Sequence, residues 1–356
     1  MVLGFKRPRI LWGWALLLCL GCGVGEEQRM VIRTAEDATR AVARAPAPAG
    51  GDIPQEAWPK SWFQPPRKAS EVGLVAFRQA PMLAALVAAG ELPPVEERLP
   101  DDPMVVVPID EIGTYGGTAR IFLAGESLIN VPEGLLRPGP QMRLNLPNWA
   151  EKAEYSNGAR TLNITLRPGH RWSDGHLLTA DDYLFFFEHF LMNKDLTPVV
   201  EPRFKGARIE KHDAHSFSYH FPQPMPLFVN HLAHNSSRLA IPAHFMKRYH
   251  PSFTDRAQLE DEAEELGLQD WRTYLTAVNA TNDLLFFGRP VLTAYVLVSR
   301  TSTRTRLRRN PYYPKVDPEG NQLPYIDYLE VQRVDSAEIM AAKASTGQVD
   351  FAGRQF

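Results

Sequence analysis

LRPGHRWSDGHLLTADDYLFFFEHF, residues 166–190, contains the clearest structural signals in this sequence. It continues an alternating run, Thr161 to Leu166, which predicts a β-strand. Pro168-Gly169 and Asp174-Gly175 follow, and both dipeptides favour tight turns, because proline fixes φ and glycine tolerates positive φ. The pattern therefore predicts a strand that ends near Leu166 and a turn-rich loop, Arg167 to His176, that reverses the chain.

A helix is predicted directly after this loop. Thr179 and Asp182 have capping-box spacing, with aspartate in place of the usual glutamate, and Asp181 complements the helix dipole. The helix is therefore expected to begin near Ala180. Its aromatic run, Phe185-Phe186-Phe187 with Phe190 and Leu191, predicts helix-to-sheet core, with a hydrophobic ligand pocket as the alternative.

The order of these motifs resembles a known family. Trp172-Ser173-Asp174-Gly175, then Thr179-Ala180-Asp181-Asp182 and an aromatic-rich helix, is similar to the signature stretch of the bacterial extracellular solute-binding proteins of family 5. These are the peptide- and nickel-type receptors of ATP-binding-cassette importers. Further passages extend the resemblance over roughly residues 90–356: Leu92–Pro100, Tyr115–Thr118, Asn148–Glu151, Tyr155–Gly158, Asn310–Tyr313, Pro324–Asp327 and Gly347–Phe351.

The resemblance implies an α/β fold of the periplasmic-binding-protein type II, with a mixed sheet in each of two lobes and the ligand in the cleft. Residues 101–356 would form the first lobe, with residues 131–235 as its inserted subdomain. The family continues through a second lobe, and this sequence stops at Phe356. We therefore expect the second lobe to be missing. We also expect solute binding to be weak, because a single lobe forms only one wall of the cleft and leaves most of the ligand surface in contact with water.

The first residues predict export. A basic segment, Lys6 to Arg9, precedes an apolar run from Ile10 to Leu20, and a small-residue cleavage site ends in Cys22. Residues 1–21 are therefore predicted to be a lipoprotein signal peptide, and Cys22 the lipidated residue. The alternative is a membrane helix, but the apolar run is well short of the ~20 residues that span a bilayer.

Two linking regions follow the leader. Residues 22–65 lack sustained apolar periodicity and predict a flexible tether. Residues 66–100 predict a helical leader and linker, with one helix over residues 68–91. The lipid would hold the protein on the membrane surface without spanning it.

Composition narrows the function classes. With 44% hydrophobic residues, 22% charged residues and a formal charge of -2, the chain has no basic surface for nucleic acid. It lacks the common hydrolase, metalloprotease and nucleotide-binding motifs, so neither an enzyme nor a cofactor is predicted. The histidine pairs His212/His215 and His231/His234 have i, i+3 spacing, but neither lies in a predicted helix. Surface or core histidines, and no metal site, are the expectation, with a metal site as the alternative.

The strongest candidate for ligand contact is the loop after the first predicted sheet strand, Thr118 to Leu123, because ligands of open α/β sheets bind at the carboxyl ends of strands. Glu126, Ser127 and Asn130 offer polar contacts there, and an ordinary solvated loop is the alternative. Trp172 is a further candidate, although we expect it to pin its loop to the subdomain.

These features predict an exported lipoprotein, periplasmic or on the cell surface. It would act as a monomer, as the substrate-binding component of an ATP-binding-cassette importer that delivers peptides or similar small solutes to a membrane permease. The alternative is a truncated surface lipoprotein that serves as a non-transport interaction module. An in-frame second lobe beyond codon 356 would favour the receptor, and a stop codon the module.

Overall fold

The structure, a computed structural model, describes residues 66–108, 110–123, 133–139, 145–235, 239–280, 288–334 and 336–353. The predicted signal peptide, Cys22 and the tether lie outside these residues. Among the residues described, no helix combines the length and apolar character that crossing a membrane requires.

The strands, in chain order, are β1 (Arg67–Lys68), β2 (Met104–Val105), β3 (Thr118–Leu123), β4 (Leu136–Pro138), β5 (Asn145–Pro147), β6 (Ala150–Ser156), β7 (Thr161–Leu166), β8 (Arg208–Lys211), β9 (Ser216–His220), β10 (Tyr295–Arg300), β11 (Arg304–Arg309), β12 (Lys315–Val316), β13 (Tyr328–Arg333) and β14 (Phe351–Gly353). The α-helices are α1 (Pro81–Ala88), α2 (Val95–Arg98), α3 (Ala180–Phe186), α4 (Phe228–Asn235), α5 (Ala243–Met246), α6 (Arg256–Glu265), α7 (Trp271–Asn279) and α8 (Ala337–Ser345). Short 3-10 turns cover Ser70–Val72, Pro202–Phe204 and Lys247–Tyr249, and a π-helical turn covers Phe187–Leu191.

A five-stranded mixed sheet has the order β10-β11-β13-β3-β14. β13 and β14 run parallel to β3, whereas β11 is antiparallel to β13 and to β10. Alternate residues of β11 and β13 are buried, as a period of two requires, whereas β3 buries Ile121, Phe122 and Leu123 in succession because both of its faces are covered. One face forms an apolar cluster from Ile121, Leu123, Leu307, Leu329 and Val331. On the other face, Phe122 packs with Val334 and with Met340 of α8.

A four-stranded antiparallel sheet, in the order β6-β7-β9-β8, forms within residues 150–220. It contributes Leu162, Ile164, Phe217 and Tyr219 to the largest buried apolar cluster. This sheet lies inside the range that the sequence predicts to be an inserted subdomain, 131–235; the boundaries of that subdomain stay a prediction. Two small sheets complete the described strands, one of order β1-β2-β12 and one of order β4-β5.

Helix α3 lies between two apolar clusters. Its capping box is present: Thr179 and Asp182 satisfy each other's backbone N–H groups. Phe187 and Leu191 pack into the cluster of the antiparallel sheet, and Phe185 and Phe190 pack with α6 and α7. The prediction of helix-to-sheet core for this aromatic run is therefore confirmed.

The predicted helix over residues 68–91 is wrong. The structure has β1 and a 3-10 turn there, and the helix is only Pro81–Ala88. Gly73 has a φ of 70° and Ala80 is extended, so the backbone leaves the helical region twice before Pro81. Proline at the first helical position is favourable, whereas within a longer helix it would lose a hydrogen bond and clash.

The sequence also failed to predict helix α4. His231 and His234 were expected outside any helix, but both lie in Phe228–Asn235. The apolar residues Val229, Leu232 and Ala233 have helical spacing, but the polar residues between them made this pattern difficult to recognise in the sequence. The strand over Thr118–Leu123 and the strand over Thr161–Leu166 are observed with the predicted limits.

Candidate functional site

The parallel strands β3, β13 and β14 end at the same edge of the mixed sheet, which we call the carboxyl edge. At this edge the Val334 N–H donates to the carbonyl of Leu123 across 2.9 Å. The turn between β10 and β11, Thr301–Thr303, lies there as well, because β11 is antiparallel to β13 and the Arg333 N–H donates to the carbonyl of Thr303. This turn is exposed, and its three hydroxyl groups were not among the predicted site residues.

The predicted ligand residues Glu126, Ser127 and Asn130 lie in residues 124–132, outside the described part of the chain. Both ends of that loop are described. It leaves the sheet at Leu123, which is 3% exposed, and the chain is described again from Glu133. The predicted start of the loop at the carboxyl edge agrees with the parallel pairing of β3 with β13 and β14.

Glu133 sits in a buried polar cluster, here called the Glu133 cluster, with Asn148, Tyr313 and Lys315. The Lys315 ammonium lies 2.8 Å from one carboxylate oxygen and 3.0 Å from the other. Asn148 Nδ2 donates across 2.8 Å, and the Tyr313 hydroxyl also donates to this carboxylate. The side chains of Lys315 and Glu133 are 11% and 16% exposed. The cluster therefore fixes the chain at the point where the predicted ligand loop ends.

The electrostatics of the Glu133 cluster favour the ion pair. Burial by itself would raise the pKa of Glu133, but Lys315 and the hydrogen bonds from Tyr313 and Asn148 outweigh it and hold that pKa below its usual range. Burial, reinforced by the negative charge of Glu133, raises the pKa of Tyr313 well above its ordinary value. The ammonium of Lys315 also lies 5.1 Å from the ring centroid of Trp149, a cation–π contact.

His170 lies next to this cluster. It is 2% exposed, and its ring meets Trp149 edge to face with centroids 5.0 Å apart. Burial, with smaller contributions from Arg167 and Lys315, lowers the pKa of His170 to about 3. The folded protein buries the His170 imidazole in its neutral form. The contribution of His170 to the free energy of unfolding is therefore fully present above the ordinary pKa of 6.5 and is lost as the pH falls toward 3.

We expect the free energy of unfolding to fall by about 2 kcal/mol between pH 6.5 and pH 5 because of His170, since each pH unit in this window costs about 1.4 kcal/mol. His170→Phe keeps the ring contact and removes the titrating group, so its pH dependence should be flatter by that amount. Urea unfolding at pH 7, 6 and 5 measures the difference. Equal slopes for wild type and His170→Phe would contradict the assignment.

Comparison with known proteins decides the family. The model of the bacterial extracellular solute-binding proteins, family 5 Middle, matches residues 146–356. The chain belongs to this family.

The relatives of this family 5 chain agree with the fold. The periplasmic alpha-galactoside-binding protein of Rhizobium meliloti (strain 1021) is 30% identical over 274 residues, which are 68% of this chain and 37% of that protein. The oligopeptide-binding protein OppA superposes with a TM-score of 0.71 at 31% identity, over 79% of this chain and 46% of that one. The periplasmic binding protein MelB of Agrobacterium fabrum C58, solved with stachyose, gives a TM-score of 0.65 at 26% identity, over 79% and 44%.

These matches confirm the expected family and the periplasmic-binding-protein type II fold, with its mixed α/β sheet. The family 5 chain spans less than half the length of each of these three relatives.

The family 5 signature stretch, Trp172–Gly175, stabilises its own loop through buried contacts. Trp172 is 2% exposed, and its indole N–H donates to Asp182 across 3.1 Å. Gly175 has a φ of 93°, and a Cβ at that position would lie 2.9 Å from the ring of Tyr312. Both observations favour the expectation that Trp172 pins the loop, and they leave it little surface for a ligand.

Asp182 joins three segments of the family 5 chain. Its carboxylate accepts hydrogen bonds from the backbone N–H of Thr179 at 3.0 Å, the indole of Trp172 at 3.1 Å and the backbone N–H of Ala243 at 2.9 Å. Burial raises the pKa of this carboxyl group although all three donors oppose the rise. The loop of the signature, the start of α3 and the start of α5 are therefore bound to one buried group.

In each of the two histidine pairs, one histidine has a side-chain partner outside the pair. His212 shares a hydrogen bond with Ser218 at 2.6 Å, and His231 with Arg203. Among the described residues a different set comes close enough to hold a metal ion, namely Asp174, His176 and His244. Sequence reasoning missed this set because His244 lies far from the loop in sequence and no short motif connects the two.

Proposed function

We propose that this chain is part of the substrate-binding component of an ATP-binding-cassette importer. It captures peptides or similar small solutes outside the cytoplasmic membrane and delivers them to a permease. The observation that carries the proposal is the family match over residues 146–356, which includes the parallel strands β13 and β14 at the carboxyl edge.

The chemistry of the carboxyl edge suits an uncharged polar solute. Thr301, Ser302 and Thr303 present hydroxyl groups in an exposed turn, and we propose Ser127 and Asn130, with Glu126, as contacts from the neighbouring loop. Hydroxyl and amide groups can donate and accept hydrogen bonds, so they can match peptide amides or sugar hydroxyls. The named relatives bind solutes of these two kinds: oligopeptides in one case, and alpha-galactosides and stachyose in the others.

The proposal includes the setting of the receptor. Residues 1–21 direct export, a lipid on Cys22 anchors the chain to a membrane surface, and residues 22–65 serve as the tether. Residues 66–100 connect the tether to a first lobe, 101–356, with 131–235 inserted. The receptor works as a monomer and needs no cofactor. A tether of this length keeps the lobe near its permease without fixing its orientation.

Saturation-transfer NMR on the 356-residue chain tests solute binding, with Ala-Ala-Ala and stachyose as probes. We expect transfer to at least one probe. The affinity of the 356-residue chain should be in the millimolar range, because it spans less than half the length of its relatives and would cover only part of a ligand's surface. Isothermal titration should correspondingly show little heat. A folded chain that transfers saturation to neither probe would contradict the solute-binding proposal, and micromolar binding by titration would contradict the weak binding expected of a single wall.

A further inference from the structure

We propose that Asp174, His176 and His244 form a surface site for a divalent transition-metal ion. Asp174 Oδ2 lies 2.7 Å from His244 Nε2 and 3.3 Å from His176 Nδ1. The two imidazole rings stack with centroids 3.9 Å apart and planes at 14°, so both direct a nitrogen toward the same carboxylate oxygen. The three ligand atoms all lie within 4.8 Å of one another. The proposal does not depend on solute binding.

Two of the three distances between ligand atoms are close to those that a tetrahedral ion requires. Bonds of about 2.0–2.1 Å at tetrahedral angles separate neighbouring ligand atoms by about 3.3 Å. The Asp174–His176 distance already has this value, and the Asp174–His244 distance must open by about 0.6 Å to reach it. The side chains of Asp174, His176 and His244 are 34%, 62% and 25% exposed, so each has part of its surface in solvent and Asp174 and His176 have room to adjust. A fourth position stays open for water.

The surrounding hydrogen bonds hold the ligands in place. The backbone N–H of His176 donates to Asp174 Oδ1 at 3.2 Å, which orients the carboxylate and turns Oδ2 toward the imidazoles. The carbonyl of His176 accepts from the Trp172 N–H at 2.8 Å. His244 follows Ala243, whose N–H donates to Asp182, the group that also binds the Trp172 indole. Both halves of the site are thus fixed to Asp182, which holds in place the backbone that carries the two imidazoles.

The ligand types select the class of ion. Two imidazoles and one carboxylate suit Zn²⁺, Co²⁺, Ni²⁺ or Cu²⁺, whereas Mg²⁺ and Ca²⁺ prefer oxygen ligands alone. A bound ion would be held by the nitrogen of each imidazole that faces Asp174, and that nitrogen then carries no proton.

Equilibrium dialysis of the untagged 356-residue chain against Zn²⁺ tests the site, with Co²⁺ absorption as a second readout. We expect one Zn²⁺ per chain at this site, bound at least about 10-fold more weakly by His176→Ala and by His244→Ala. His215→Ala should bind Zn²⁺ as the wild type does. Zn²⁺ should also raise the melting temperature of the wild type more than that of His176→Ala, since an ion that binds only the folded state stabilises it in proportion to its affinity.

His176→Ala is the decisive variant, because its side chain is the most exposed of the three and its removal should not disturb folding. Circular dichroism checks that the variant is folded. Zn²⁺ binding by His176→Ala with the affinity of the wild type, or no stoichiometric binding by the wild type, would overturn the proposal and leave Asp174 as a hydrogen-bond partner of two histidines. Failure of saturation transfer to peptides or stachyose would leave this result unaffected.

Discussion

Lys315→Met is expected to lower the free energy of unfolding by about 2 to 4 kcal/mol. The substitution keeps the apolar stem of the side chain and removes the charge that Glu133 faces at 2.8 Å. Breaking a buried ion pair from one side typically costs about 3 to 5 kcal/mol, and the 11% and 16% exposure of these two side chains lets water reduce that cost. Urea unfolding at pH 7, followed by tryptophan fluorescence, measures the change.

Two further variants separate this explanation from a general loss of packing. Glu133→Gln/Lys315→Met removes both charges and should recover at least about half of the loss, since an uncharged pair needs no compensation. Lys68→Met breaks the more exposed pair between Lys68 and Glu151, and should cost less than about 1 kcal/mol. A double variant no more stable than Lys315→Met would show that the ion pair is not what the cluster depends on.

Asp182→Ala is expected to cost about 3 to 4 kcal/mol. The substitution leaves the buried N–H groups of Trp172 and Ala243 without an acceptor and removes the side-chain half of the capping box with Thr179. Each unsatisfied buried donor costs about 1 to 3 kcal/mol, and a lost cap about 1 kcal/mol. Thermal and urea unfolding should both show the loss.

Asp182→Asn provides an internal comparison. Its amide oxygen can accept two of the three hydrogen bonds, while its NH₂ group must face the third donor, so we expect an intermediate loss of about 1 to 2 kcal/mol. Asp181→Ala, which removes only an exposed ion pair with Lys211 and a first-turn charge, should cost less than about 1 kcal/mol. Equal losses of unfolding free energy for Asp181→Ala and Asp182→Ala would contradict the role of Asp182 in joining the signature loop to the starts of α3 and α5.

Local patterns in the sequence were sufficient for much of the fold. The strand over Thr161–Leu166 and the capping box at Thr179 depend on neighbouring residues, so spacing alone predicted them. The helix over residues 68–91 failed because apolar spacing there outweighed two positions, Gly73 and Ala80, where the backbone leaves the helical region. Intrinsic helix preference is a weak predictor when tertiary contacts compete with it.

The candidate site was less predictable, because residues that are far apart in the sequence form its contacts and only the folded chain brings them together. Glu133 contacts Tyr313 and Lys315, which follow it by 180 and 182 positions in the sequence. No local sequence pattern around Glu133 predicts these contacts. Asp174 meets His244 across 70 positions for the same reason. The turn Thr301–Thr303 reaches the carboxyl edge only because β11 pairs antiparallel with β13.

The structure gives the two ends of the proposed ligand loop distinct anchors. Leu123 ends β3, which lies between β13 and the edge strand β14, and Glu133 is fixed by the ion pair with Lys315. A loop held at both ends loses less conformational entropy when it binds a ligand than a loop that is free. We therefore expect Lys315→Met to weaken solute binding as well as folding.

Saturation-transfer NMR on the Ser127→Ala/Asn130→Ala variant tests most directly the claim that solute binds at the carboxyl edge. The probe is whichever of Ala-Ala-Ala and stachyose binds the wild-type chain, and Ser252→Ala, an exposed serine elsewhere, is the matched control. Loss of two hydrogen bonds of about 1 kcal/mol each predicts an affinity at least about 10-fold weaker for the double variant and unchanged for Ser252→Ala. Equal affinity for the wild type and the double variant would contradict the claim.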